Sequence, residues 1–426
     1  MKTIRERFAP PDAPLIALLA AGAAALVARE ITEGRLLYGV ALAALPALAW
    51  LTAKPAILIG ALGATLPLVQ NLVGASGGGY NVSSSDLLMV AIGGGILLER
   101  TAARPVPIRR ALRPIAAPLI QYGTVMVLLF ALHPLDVAHF AKTGQRFELF
   151  LLPLAIGAYA ALRNLHLGLL KAYLIAATAL AIAWPFDHGL GQKNPVGQFI
   201  ANAILLFLAL PALRRFLPCL LFLIPGLLLT QSRGAILATG VGAVVILAIR
   251  GFGLRFIVSR GVPFALAAAA AFLLLPGSYQ SRVTTISPGQ STPAQYAIYI
   301  REQLTTDAKK IIRAHPLTGV GVGEYYAADS KITADPVLDP HEVLYLQAAE
   351  GGYGLAVSFV LLVVGLAFAV WRMKNVPVAA AAAGVLIATA THGLVDVFWV
   401  RGTPVLGFLL VGMACGSLLR ERENIE

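Results

Sequence analysis

The chain has 426 residues, of which 58% are hydrophobic and only 13% charged, and its formal net charge is +12. A soluble domain holds about 45–50% apolar and about 25% charged residues, so a string of soluble domains is excluded, as is a disordered chain. Two cysteines, Cys219 and Cys415, both inside apolar runs, exclude a disulfide framework.

A membrane-spanning helix needs about 20 mostly apolar residues. Apolar runs predict spans at 13–28, 36–53, 55–74, 86–99, 115–132 and 149–162. Others follow at 167–186, 199–213, 216–231, 235–249 and 262–276, and the last three at 353–371, 376–396 and 404–419. The predicted fold is an all-α polytopic membrane bundle of about 12–14 transmembrane helices. Arg29-Glu30 follow the first run where a cleavable signal would have small residues, so that run reads as a retained span.

Lys and Arg mark cytoplasmic loops. With Lys2, Arg5 and Arg7 inside, alternation puts Arg100, Arg104, Arg109, Arg110 and Arg113 in one inside loop. Arg214, Arg215, Arg250, Arg255, Arg260, Arg372, Lys374, Arg420 and Arg422 fall inside as well, so both termini are expected in the cytoplasm. The basic balance is therefore a signal of topology. A nucleic-acid surface would gather its cations on one face of a soluble domain, and no nucleic-acid partner is expected.

The external side has short loops at 75–85, 133–148 and 187–198, and one long polar stretch at 277–352. Within that stretch Tyr296, Ile300, Leu304, Ala308 and Ile311 recur at helical spacing. Thr292-Pro293 suits the helix start, as cap and first-turn proline. This amphipathic helix is expected to lie on the bundle at the membrane surface. No internal repeat of the transporter kind is visible.

Ionisable groups at the edge of a membrane are costly and need a partner or a task. In Thr230-Gln231-Ser232-Arg233-Gly234, Arg233 joins two apolar spans with almost no loop. It is either a snorkelling arginine or an anion site, where its guanidinium fork matches a phosphate. Ser232 and the N–H groups opening the next helix would add donors. Arg301 follows apolar Tyr299-Ile300 and is the better inward cation of its helix, whereas Lys309, Lys310 and Arg313 read as a solvated face.

His315-Pro316-Leu317-Thr318-Gly319-Val320-Gly321-Val322-Gly323 lacks the βαβ context of a dinucleotide fingerprint, and reads as a tight turn. Asp339-Pro340-His341-Glu342 precedes an apolar helix containing Glu350 and Gly351-Gly352-Tyr353-Gly354. A histidine at such an entrance can exchange a proton near neutral pH. Asn194-Pro195 opens another outer helix, and its amide falls on the same side. His392 and Asp396, four apart, are expected to share a helix face, where they could bond each other as a structural or supporting pair. There is no HExxH or paired acidic motif, so chemistry without a metal or cofactor is expected.

In this order, Thr230–Gly234, Arg301, His315–Gly321, Pro340-His341, Glu350 and Gly352 resemble the O-antigen ligase and O-antigen polymerase family. The entry Lys193-Asn194-Pro195-Val196-Gly197-Gln198-Phe199 is similar too. The resemblance covers 187–426, which would be the catalytic half including the loop 277–352. Residues 1–186 agree only as a string of membrane helices.

The resemblance implies a bacterial inner-membrane, metal-independent, inverting glycosyltransferase. Its donor would be a glycan on undecaprenyl pyrophosphate, used at the periplasmic face. Arg233 and Arg301, with Ser232, would hold the pyrophosphate. His341 would be the base or a further pyrophosphate contact, with Glu342 as a second candidate base or a partner of His341. Asn194, His315 and Glu350 would support them. The acceptor would be another glycan (polymerase) or lipid A–core (ligase), with a flippase and a chain-length regulator as further partners. Glu342 stands where the ligase branch has an amide or hydroxyl residue. Leu355 stands where that branch has a small or aromatic one. Both departures point towards polymerisation of O-antigen or exopolysaccharide. A lipid-linked glycan flippase is the competing class, but it calls for charges in mid-span, and this chain keeps its charges at helix ends.

Overall fold

The computed structural model describes residues 55–68, 71–74, 81–100, 106–133, 137–251, 255, 257–274, 277, 280, 287–289, 291–333, 336–337, 339–396 and 402–423. The spans expected at 13–28 and 36–53, with Lys2, Arg5, Arg7 and Arg104, lie outside the described residues. The chain divides into two compact units, 1–58 and 59–426. All that follows concerns the second.

After α1 (Pro55–Thr65) the chain turns, and Asn71–Gly74 (β1) pairs antiparallel with Asn81–Ser83 (β2). The run expected to span 55–74 is thus cut short, because Pro67 disfavours helix in the residue before it. Apart from this small ribbon the described residues form helices and their connections, and the all-α bundle holds. The helices are α2 (Ser84–Arg100), α3 (Ala116–Leu132), α4 (Val137–Leu162), α5 (His166–Ala183), α6 (Lys193–Ala209) and α7 (Leu220–Leu229). Then come α8 (Arg233–Arg250), α9 (Val262–Leu273), α10 (Pro293–Ala314), α11 (Tyr325–Asp329), α12 (Val343–Arg372), α13 (Ala379–Gly393) and α14 (Val405–Glu423). Among the described residues five helical segments are long and apolar enough to cross a membrane: 113–132, 166–183, 211–229, 233–250 and 343–372.

Two boundaries differ from the hydropathy reading. The stretch 133–148, expected as a loop, is mostly the first half of α4. Lys142, Gln145, Arg146 and Glu148 disqualify it as a span but are good helix formers. The span expected to start at 353 belongs to a helix that starts at Val343 and breaks at Gly351 (φ −138°) and Gly352 (φ +68°).

Helices in lipid associate through close packing, so small residues sit at their contacts. A Cβ on Gly412 of α14 would lie 2.1 Å from the Leu154 carbonyl oxygen of α4. One on Gly157 of α4 would lie 2.0 Å from that of Leu409. Gly242 of α8 and Gly384 of α13 meet in the same way. Overpacking costs about 1–3 kcal/mol or more. Gly412→Val is therefore expected to lower the thermal midpoint of the detergent-purified protein by several degrees. Gly240→Ala, whose Cβ meets nothing within 4 Å, should leave the midpoint unchanged.

α6 is buried from Pro195 to Ala209 and packs against α5, α7, α8 and α13. At the far end of α8, Arg250 donates to the carbonyls of Ala209 (2.7 Å) and Pro377 (3.0 Å). It ties the end of α6 to the start of α13. The opposite ends of these helices, at Asn194, Arg233 and Gly393, therefore come together on the other side. α10 starts as expected, with the Gln295 N–H donating to the Thr292 hydroxyl at 3.3 Å. It buries Leu304, Ala308 and Ile311 but leaves Tyr296 exposed, and it packs on α12.

Candidate active site

The turn Thr230–Ser232 is held by its own hydroxyls. Thr230 Oγ1 donates to Leu227 O (2.6 Å) and accepts from Ser232 N (3.3 Å). Ser232 caps α8, accepting from Ala235 N at 3.3 Å. Its oxygen thus serves the helix. Arg233 is the first residue of α8, half-buried, and near enough to Arg301 for the two cations to repel. Two glycines make room for the close packing around this turn. A Cβ on Gly197 of α6 would press on Ala235, Ser232 and Thr230 at 2.9–3.1 Å, and one on Gly234 would lie 2.4 Å from His392 Cδ2.

Three groups converge on Asp396, just past the end of α13, whose side chain is 4% exposed. Arg301 Nη2 donates to Oδ2 at 3.0 Å, the Asn194 amide donates to the same oxygen, and His341 Nδ1 meets Oδ1 at 3.3 Å. The His392–Asp396 bond that the spacing would allow does not form. α13 ends at Gly393, so the four-residue spacing no longer defines one face, and His392 Nδ1 bonds Gln198 Oε1 at 2.7 Å.

His341 stands in a left-handed conformation (φ +55°), with its N–H donating to Asp339 Oδ1 at 2.8 Å. A non-glycine residue held there stores roughly 1–3 kcal/mol of strain, and Asp339 and Asp396 hold it from both sides. Burial disfavours a charged His341. The hydrogen bond to Asp396 and the charges of Asp339 and Asp396 outweigh that, and its pKa lies above the ordinary histidine value. Burial pushes the Asp396 carboxyl up, but His341, His392 and Arg301 together hold it below the usual carboxylate range. Burial leaves Asp339 above its ordinary value.

Glu342 is the N-cap of α12 and accepts from Leu344 N (3.0 Å) and Tyr345 N (2.9 Å). Both oxygens are occupied, and burial raises its pKa. An amide or hydroxyl residue, the usual cap, would do the same job. Leu355 is 1% exposed and packs against the broken turn at Gly351. Both departures from the ligase branch thus have structural roles here.

Glu350 lies about two turns inside α12. Arg146 of α4 donates to its Oε2 at 2.8 Å, and Gly323 N donates to Oε1 at 2.8 Å. The glycine-rich loop docks on this point: Val320 N donates to Ala349 O and Gly321 N to Glu350 O, both at 2.9 Å. A Cβ on Gly319 (φ +65°) would lie 2.2 Å from the Glu350 carbonyl carbon. Lys142 closes the edge, donating to Gly323 O (2.9 Å) and Glu324 Oε1 (3.0 Å). His315 turns the chain through its carbonyl, which accepts from Gly319 N, while its side chain stands exposed.

The structure thus brings Asn194, Arg233, Arg301 and His341 to one place, with Ser232 and Glu342 as caps at its edges and Glu350 beneath the supporting loop. Sequence reasoning missed Asp396 as their common partner, and Arg146 altogether. A signal for each existed, since an acid at the end of an apolar span needs a cation or donor. Residues 218–353 match the sequence model of the O-antigen ligase family. No curated protein matches the chain. The matched stretch contains Arg233, Arg301, His341 and Glu350, and excludes Asn194 and Asp396.

Proposed function

We propose, for a chain whose residues 218–353 place it in the O-antigen ligase family, that it transfers a glycan from undecaprenyl pyrophosphate to an acceptor hydroxyl. The observation that carries this reading is the convergence of Arg301, His341 and Asn194 on the buried Asp396 carboxylate, with Arg233 alongside. Arg301 spends one edge of its guanidinium on Asp396 and presents further N–H donors to an anion. Arg233 adds a second cation. Together they hold the donor pyrophosphate.

Asp396 accepts from His341 Nδ1–H, which leaves Nε2 with its lone pair. Nε2 takes the proton of the acceptor hydroxyl. The hydroxyl oxygen attacks the anomeric carbon, the bond from that carbon to the pyrophosphate oxygen breaks, and the configuration inverts. The leaving pyrophosphate gains negative charge, which the two arginines bind more strongly in the transition state than in the ground state. Residues 187–426 form the catalytic half and 1–186 its membrane support. The basic loops, read as cytoplasmic, support a site on the periplasmic face of the inner membrane.

Arg301→Ala and Arg233→Ala test the donor contacts. A charge-assisted bond contributes about 1.5–3 kcal/mol, so each change is expected to lower glycan transfer by about tenfold to a hundredfold. Arg301→Lys keeps the charge without the fork and should fall between. Wild-type transfer by both alanine variants would overturn the reading. A deletion strain assigns the acceptor: single-unit surface glycans mean a polymerase, and full-length chains left on the lipid carrier mean a ligase. Unchanged glycans would reject both.

A further inference from the structure

We infer that the Pro316–Leu317 tip of the external segment is a membrane anchor, seated in the boundary layer of the bilayer beside α12 and α3. This rests on exposure and backbone pairing and stands apart from the proposed reaction.

Below its break, α12 exposes one stripe: Tyr353, Val357, Leu361, Val364 and Phe368, with Trp371 at the far end. This is the lipid face of a spanning helix. Tyr and Trp favour the two membrane–water boundaries. The 18 steps from Tyr353 to Trp371 rise about 27 Å, close to the roughly 30 Å of a hydrocarbon core. Tyr353 therefore marks one boundary of the bilayer.

The tip is fixed at that level. Tyr353 N donates to Pro316 O at 2.9 Å. A Cβ on Gly352 would lie 2.4 Å from the Leu317 carbonyl, so only glycine lets the two backbones meet. On the other flank His133, which follows α3, bonds Thr318 O at 3.1 Å. α3 ends in Leu132, 66% exposed, at the end of its own exposed series Ile120, Val127 and Leu128. Leu317, 81% exposed, thus stands where two lipid-facing stripes end.

The boundary layer still holds water and headgroups, and a chain seated in it needs only part of its backbone paired internally. Pro316 has no N–H, its carbonyl takes Tyr353, the Thr318 carbonyl takes His133, and Gly319 N donates to His315 O, while the Leu317 backbone and the Thr318 N–H are left to that layer. A leucine on a partly pre-paired turn, continuous with two lipid faces, fits the bilayer boundary as its partner. The end of α10, the helix that carries Arg301, is thereby tethered at a fixed height above the acyl chains.

The test uses the full chain in proteoliposomes with Cys219→Ser and Cys415→Ala, so that Leu317→Cys carries the single fluorescent label. Ser330→Cys, on the exposed external loop, is the water-side control. Label at Leu317→Cys is expected to be quenched by nitroxide-bearing phospholipid and spared by aqueous iodide, the reverse of the control. Iodide quenching equal to the control would overturn the anchor. Shielding from both quenchers would also overturn it, showing that protein covers the tip.

Discussion

Asp396→Asn is expected to lower glycan transfer by about a hundredfold to ten-thousandfold, the range general acid–base catalysis commands, while the protein stays folded in the membrane. The amide keeps the size of the side chain but cannot hold an imidazolium. In the proposed mechanism Asp396, 3.3 Å from His341 Nδ1, fixes that nitrogen protonated and stabilises the charge His341 acquires when it takes a proton. Steady-state kinetics should show the loss in kcat. The KM for the lipid-linked donor should stay level or fall, because Arg301 loses a competing anion.

The pH profile gives a second readout. In the proposed mechanism the working form of His341 is neutral, so activity is expected to fall as pH drops through its pKa. Burial alone pushes that pKa down, and the bond and charge of Asp396 are among the causes that bring it above the ordinary histidine value. Removing them should move the acid limb to lower pH even as the plateau drops. An acid limb at its native place would show that Asp396 does not act through His341.

The second large effect concerns folding. Arg146 and Glu350 form an ion pair with side chains 10% and 3% exposed. Removing one partner of such a pair costs about 3–5 kcal/mol, because a charge is left buried alone. Arg146→Ala should therefore sharply reduce the yield of folded protein, and Glu350→Ala should do more, since it also leaves Gly323 N without its acceptor. Limited proteolysis is expected to cut the variants first between 315 and 342. Arg146→Met combined with Glu350→Gln removes the buried charge and keeps an acceptor for Gly323. It should recover most of the thermal midpoint, and failure of that rescue would mean that the pair matters for more than charge balance.

These residues also show what was legible in the sequence. The start of α10 was, because a cap and a first-turn proline are local signals. The membrane part of α12 was, because lipid demands a continuous apolar run. The first ten residues of α12 and the first half of α4 were not. Hydropathy reports burial in lipid, and helix that carries charge or stands at the membrane edge gives it nothing to detect. Arg233 and His341 were recognisable singly as groups at helix ends, and Arg301 as the inward cation of an amphipathic helix. That they meet at Asp396 depends on α13 stopping at Gly393, which frees Asp396 from the helical phase that paired it with His392. Arg146 escaped notice for the same reason as its helix. Glu350 is its counterpart, an acid buried in an apolar helix, and it calls for a cation from elsewhere in the chain.

The break at Gly351–Gly352 has a mechanical consequence. In an uninterrupted α-helix one inserted residue turns everything beyond it by about 100°, and a tilt of one end swings the other. Here the direction of the chain above Gly352 is set by the Pro316 and Leu317 backbone and by the Arg146–Glu350 pair, independent of helical phase. The phase of the lower segment, and with it the lipid face from Tyr353 to Trp371, is therefore uncoupled from that of the residues above the break, whose placement follows the docked loop. The two glycines separate the fit to lipid from the placement of Glu342 and His341.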